Sequence, residues 1–239
     1  MITTAQQTEI REFLLSKNLP IDLLMEIQDH FESQIQDHLR ITDIDFEQAF
    51  SKVKQTWFAE LRILKYNIQF DLNDTTYLEK RIKKEKQTSV LKKSFVAAFG
   101  FTMLLGLATY LLSPEYFHYF FIGFILTAIL FPIIHYLFNL KLFKLIKKYD
   151  NYKLTWSQDY TKLSLVLAGA FSSFLYNISA HTRSVYSPFE TFKFDLALVN
   201  VVLITFLFWL NAYCYYTQKD YLKQISKVQS FLKYLKASS

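Results

Sequence analysis

Two apolar stretches, Ser94 to Ser113 and Tyr116 to Phe138, constrain this chain more than anything else in it. Neither contains Asp, Glu, Lys or Arg, and only Pro114 and Glu115 separate them. Each is about 20 residues long, the length a helix needs to cross roughly 30 Å of hydrocarbon. A helix buried in a soluble core does not need that length twice in succession. The pair reads as a transmembrane helical hairpin that turns at Pro114. Two further runs, about 163–180 and 196–216, have the same character and predict a third and a fourth span.

Composition supports this reading. All four glycines, Gly100, Gly106, Gly123 and Gly169, fall inside apolar runs, where membrane helices use them for close approach. The 24 Phe and 16 Tyr suit lipid-facing surface and interfacial belts. A single cysteine, Cys214, excludes an intramolecular disulfide. The polar start, Met1 to Glu12, predicts no cleavable signal peptide.

Charge is divided along the chain. Residues 1–60 hold eleven acids against five Lys/Arg, a net of −6, and the remainder holds ten against 22, a net of +12. A basic isoelectric point can signal nucleic-acid binding. Here the positive charges flank the spans, so no nucleic-acid partner is expected. Counted by connection, Lys and Arg run seven (Lys80–Lys93), zero (the Pro114 turn), six (Lys141–Lys162), two (His181–Asp195) and five (Thr217–Ser239). Basic connections stay in the cytoplasm, which predicts a multi-pass membrane protein with both termini inside.

Ahead of the spans, residues 1–65 read as an acidic soluble unit of three helices. The first runs from about Thr4 to Lys17, and Asn18-Leu19-Pro20 breaks it. The second, about Ile21 to Arg40, repeats Leu24, Ile27, Phe31 and Ile35 at helical spacing. The third begins at Asp45, a cap with Gln48 three residues on. It carries Phe46, Phe50, Val53, Trp57, Leu61 and Leu64 on one stripe. Residues 66–93 form a polar, basic linker, helical after a break near Phe70–Asp74 and capped by Asp74. The tail, 217–239, is a basic amphipathic helix with Leu222, Ile225, Val228, Leu232 and Leu235 on its apolar stripe. It either lies on an anionic leaflet or extends the fourth span. The fold class is all-α: a three-helix cytoplasmic domain, a four-helix transmembrane bundle of two antiparallel hairpins, and this C-terminal helix.

Leu19-Pro20, then Asp29-His30-Phe31 in an acidic helix, then Phe46-Glu47-Gln48-Ala49-Phe50 resembles the HAAS-type prefix domain. That is a three-helix cytoplasmic module found ahead of membrane spans in bacterial proteins. The resemblance covers residues 8–62. Ile41–Asp45 lacks the glycine usual there, and Gln55-Thr56-Trp57-Phe58 replaces a Gly-Asp-Pro-like turn. The resemblance implies a bacterial protein of the cytoplasmic (inner) membrane with a signalling or regulatory cytoplasmic module, and no catalytic residues.

Within the spans, polar groups are few. His135 and Asn211 lie at matched depth near the inner end, and Asn177 and Asn200 near the outer end. Hydrogen bonds between helices are the expected use of both pairs. Ala98, Thr102 and Gly106, with Gly169 and Ser173 and with Ala168 and Ser172, form small-residue stripes for close helix contact, within the chain or across a homo-oligomer. Pro132 kinks the second span. His118 and His181 fall at the outer rim as a candidate metal or pH-sensing pair, or as ordinary interfacial histidines. Glu26, Asp29, His30 and Asp37 mark an acidic face of the second soluble helix, a candidate partner surface, with a divalent cation at Glu26 and His30 as the competing use.

HExxH, GxSxG, P-loop and Rossmann patterns are absent from the sequence, and neither an enzyme nor a cofactor is expected. The sequence therefore favours a non-catalytic regulatory or scaffolding protein in the lipid bilayer, with a protein partner at its cytoplasmic helices. A small oligomeric transporter or channel component is the alternative. The acidic domain is expected to dock on the lysine-rich inner loop or tail.

Overall fold

The computed structural model describes residues 2–64, 75–145, 154, 182–183, 185–186 and 196–235. The described residues form α1 (Thr4–Leu15), α2 (Ile21–Ile41), α3 (Phe46–Thr56), β1 (Ile63–Leu64), β2 (Thr75–Thr76), α4 (Tyr77–Leu111), α5 (Pro114–Phe138), α6 (Leu140–Leu145) and α7 (Leu196–Leu235). The fold is all-helical apart from the two-residue strands. Among the described residues, one compact unit takes the chain up to Lys86 together with α7 from Gln224 onward. The second takes Gln87 to Leu145, residues 182–186, and α7 up to Lys223.

In the first unit each helix starts and stops for a local reason. Thr3 and Gln6 cap α1 reciprocally, each side chain taking the other's backbone N–H. Asn18, with φ of 58°, is left-handed, a conformation Asn tolerates better than most residues, and it ends the helix ahead of Pro20. Asp45 Oδ1 accepts from Gln48 N at 2.8 Å to open α3. The stripe Leu24, Ile27, Phe31 and Ile35 of α2 is buried against Ile10 and Leu14 of α1 and Phe50 and Val53 of α3. Phe31 is the hub, with ring centroids 5.6 Å from Trp57, 6.0 Å from Phe13 and 6.5 Å from Phe50.

The third helix is shorter than its apolar stripe predicts. It ends at Thr56 rather than running on to Leu64. Trp57 takes φ −89°, ψ 0°, lies against Phe31, and donates its indole N–H to Gln34 Oε1 at 3.0 Å. Leu61 still reaches the core, from a turn. Leu64 instead joins β1, which pairs antiparallel with β2 in the register Ile63↔Thr76 and Leu64↔Thr75.

The expected cap Asp74 lies outside the described residues. Thr76 Oγ1 accepts from Glu79 N at 3.2 Å at the start of α4. Leu78 and Ile82 then pack onto the three-helix core, so the first turns of the expected linker belong to it. Two ion pairs tie the same stretch down: Arg81 to Glu60 at 2.7 Å and Lys86 to Asp22 at 3.5 Å. The acidic unit is thus bonded by the basic start of α4.

In the second unit, α4, α5 and the 198–229 part of α7 are long and apolar enough to cross a membrane. Ser113 precedes α5 as its N-cap, with Pro114 in the first turn, so α4 and α5 are joined by a tight connection. Only 22% of the most apolar window of α5 is buried, so most of its apolar surface faces outward, an arrangement suited to lipid rather than water. Phe101, Phe124 and Phe208, one ring each from α4, α5 and α7, lie 5.5 to 5.7 Å apart and clamp the three helices together.

α7 is one helix of 40 residues, about 60 Å long at 1.5 Å per residue. Of the two arrangements the sequence left open for the tail, the helix runs on from the fourth apolar run through Thr217 without a break. No Gly or Pro interrupts 196–239, and Thr217 Oγ1 bonds back to Tyr213 O across the expected boundary. Ile225 and Val228 of its stripe are buried.

Candidate functional site

Pro132 sets the local chemistry of α5. Its ring nitrogen carries no hydrogen, so the carbonyl four residues back, on Ala128, loses its helical donor. Asn211 of α7 fills the gap, donating its side-chain N–H to the Ala128 oxygen. Asn211 does not bond to His135, its expected partner. Two turns on, His135 Nδ1 donates to Gln218 Oε1 at 3.0 Å, the ring lying edge-on to Tyr215 at 5.1 Å. Which amide atom faces the ring, and hence the tautomer, is assigned from the hydrogen-bonding pattern. Gln218 is fully buried, and its Nε2 makes no hydrogen bond among the described residues.

The pairs 128–211 and 135–218 fix direction. Both numbers rise by seven, so α5 and α7 run parallel. Thr102 and Thr205 hydroxyls meet at 2.9 Å and Phe101 meets Phe208, so α4 and α7 run antiparallel.

Of the small-residue stripe on α4, Ala98 is buried in the unit's core, and Thr102, one turn on, carries the bond to Thr205 of α7. Gly106 lies a turn further and accepts from Thr109. Asn200 lies half-buried on α7. Asn177, Ala168, Gly169, Ser172, Ser173 and His181 lie outside the described residues.

Thr182, Arg183, Val185 and Tyr186 gather at the α4–α5 turn. Tyr186 donates to the Leu112 carbonyl at 3.5 Å and sets its ring 5.3 Å from Phe117, while Val185 is buried in the same core. His118 Nδ1 bonds Thr182 Oγ1 at 3.2 Å. These two residues, with Glu115, Arg183 and Tyr186, line a cavity of about 470 Å3. A second cavity, about 320 Å3, opens between α4, α5 and α7. Ala97, Ala128 and Ala212, one from each helix, make room for it, and Pro132, Asn211 and aromatic rings form its walls.

In the first unit, Glu26, Asp29, His30 and Asp37 are exposed on α2. At 100° per residue they fall within about 100° of one another around the helix. His30 rests 6.3 Å from Trp57. The other acids of α2 are bonded internally: Asp22 to Lys86, and Glu32 to Gln7 and Gln28. Glu26, Asp29 and Asp37 make no ion pair or hydrogen bond among the described residues. No cluster of three His, Cys, Asp or Glu side chains converges among the described residues.

Sequence reasoning missed Thr205, Gln218 and the Ala128 carbonyl. The carbonyl was findable, because a proline inside a span always frees the oxygen four residues before it. Gln218 was hidden because it lay beyond the apolar run. Comparison with protein-family models, with curated proteins and with solved structures returns no match.

Proposed function

We propose that this chain is a four-span protein of a bacterial cytoplasmic membrane, with both termini in the cytoplasm, that holds a protein partner through its acidic N-terminal helices and performs no catalysis. The observation that carries the reading is the division of labour on α2. Asp22 and Glu32 are used internally, whereas Glu26, Asp29 and Asp37 stand exposed and uncommitted beside His30 on a rigid, self-contained core. A fixed acidic face of this kind suits a basic segment of another protein. The likeness of residues 8–62 to the HAAS-type prefix domain belongs to the same reading.

The span count rests on direction. Parallel α5 and α7 need the chain between them to return across the layer, and the apolar stretch 163–180 has the length to do so. Thr182 and Tyr186 lie beside the α4–α5 turn, which supports placing the two connections poorest in Lys and Arg at one end. The positive-inside rule assigns that end to the outside.

The described intramembrane polar groups favour a packed bundle over a transport path. Thr102, Thr205 and Asn211 join helices, and Thr109 and Thr127 bond their own backbones. The test is site-specific photocrosslinking of the full chain in native membranes from positions 30 and 33, exposed on the same face of α2, with the lipid-facing position 202 as control. The expected result is one discrete protein adduct from the α2 positions, lost in a Glu26→Lys, Asp29→Lys, Asp37→Lys variant. Solute flux through liposomes containing the purified protein would argue for a transporter instead.

A further inference from the structure

The cavity between α4, α5 and α7 sits in the apolar part of the second unit and opens outward, since Phe101 of α4 and Phe131 of α5, both in its wall, are 38% and 53% exposed. Such a cleft in a membrane helix bundle is filled by whatever the layer supplies. At about 30 Å3 per water-sized group, its 320 Å3 hold roughly ten methylenes. Its lining is mostly aromatic and aliphatic; Thr127 bonds the Gly123 carbonyl of its own helix, and Asn211, the one amide, already serves the Ala128 carbonyl.

The helix faces that line the cavity end in cations. On α4, Lys93, Ala97 and Phe101 follow at i, i+4, i+8, so Lys93 lies one turn below the cavity on the same face. On α7, Phe208, Ala212, Tyr215 and Lys219 continue one stripe, with Lys219 one turn past the last lining residues. α4 and α7 run antiparallel, so both lysines fall at the same end, away from the Pro114 turn. Both are exposed, and neither makes an ion pair among the described residues. An apolar trough of this volume, with two uncommitted cations at its lysine-rich mouth, suits part of one acyl chain of a phospholipid and its phosphate.

The geometry points to a binding site for one anionic phospholipid of the cytoplasmic leaflet, its acyl chain in the trough between Ala97, Ala128 and Ala212 and its phosphate held between Lys93 and Lys219. Two lysines near an anionic surface favour it over a zwitterionic lipid by about tenfold or more. The site is independent of the partner surface on α2.

Native mass spectrometry of the full chain in detergent tests this, with phosphatidylglycerol and phosphatidylcholine of identical chains added in turn. The wild-type protein is expected to retain one phosphatidylglycerol per chain, about tenfold better than phosphatidylcholine. Lys93→Gln with Lys219→Gln should erase that preference while both lipids still bind weakly. Ala212→Phe should fill the trough and remove both. Equal retention of the two lipids by the wild type, an intact preference in the double lysine variant, or full retention in Ala212→Phe would each overturn the proposal. So would displacement of the lipid by glycerol phosphate alone, which would make the phosphate rather than the chain the ligand. Helix content measured by circular dichroism separates loss of the site from loss of the fold.

Discussion

Asn211 donates its side-chain N–H to the carbonyl of Ala128, the oxygen that Pro132 leaves without a helical partner. The proline in α5 thereby accounts for a polar residue in the middle of α7, 83 residues along the chain from Ala128. It also explains why an otherwise costly asparagine is tolerated among apolar neighbours.

The two residues should therefore be energetically coupled. Asn211→Leu is expected to cost about 1 kcal/mol in the wild-type background. In Pro132→Ala, where residue 132 regains an N–H and the ordinary bond to Ala128 reforms, the same change should cost close to nothing. A double-mutant cycle read by unfolding in mixed micelles measures the difference. Equal costs in both backgrounds would remove the coupling.

His135 and Gln218 obey the asymmetry of buried polar pairs. His135→Phe strands the Gln218 amide, which is already short of a partner at Nε2, and should cost about 1–3 kcal/mol. Adding Gln218→Leu should recover most of that loss, because both polar groups are then gone. A double variant as unstable as His135→Phe alone would contradict this.

The N-terminal unit should depend on its aromatic hub and hardly on its surface charges. Phe31→Ala removes a fully buried ring that touches Phe13, Phe50 and Trp57, and is expected to cost about 3–5 kcal/mol. Arg81→Gln breaks a partly exposed ion pair and should cost under about 1 kcal/mol, less at high salt. Hydrogen exchange of α1–α3 in the full chain reads both.

The fold was legible where one local rule decides. The apolar runs gave α4 and α5, the Asp45 and Gln48 pair marked the start of α3, and the Leu24, Ile27, Phe31, Ile35 period identified the buried face of α2. It was illegible where a tertiary contact overrides the local pattern. The stripe through Leu64 is helical by spacing alone, yet Trp57 leaves the helix to reach Phe31 and Gln34. His135 was matched by depth to Asn211, but depth cannot see that Pro132 had already claimed Asn211 through Ala128. The opposite charges of the N-terminal unit and the rest of the chain were plain, but not that α4 would supply the bonded cations, Arg81 and Lys86.

The acidic face of α2 should act as a unit. Reversing Glu26, Asp29 and Asp37 together is expected to abolish the crosslinked adduct while leaving the helix content of the full chain unchanged, because none of the three is bonded internally. Loss of helix content would show that the face is structural.

The membrane arrangement is tested most directly by cysteine accessibility. Cys214 is the single cysteine of the sequence, so Cys214→Ser gives a thiol-free background in one step. Single cysteines at Ser16, Lys52, Ser113 and Arg183, all exposed, then report side. With a membrane-impermeant maleimide on intact cells, positions 113 and 183 should label at once, and positions 16 and 52 only after permeabilisation. Labelling of position 183 together with 16 and 52, or of 113 and 183 from opposite sides, would contradict the four-span account.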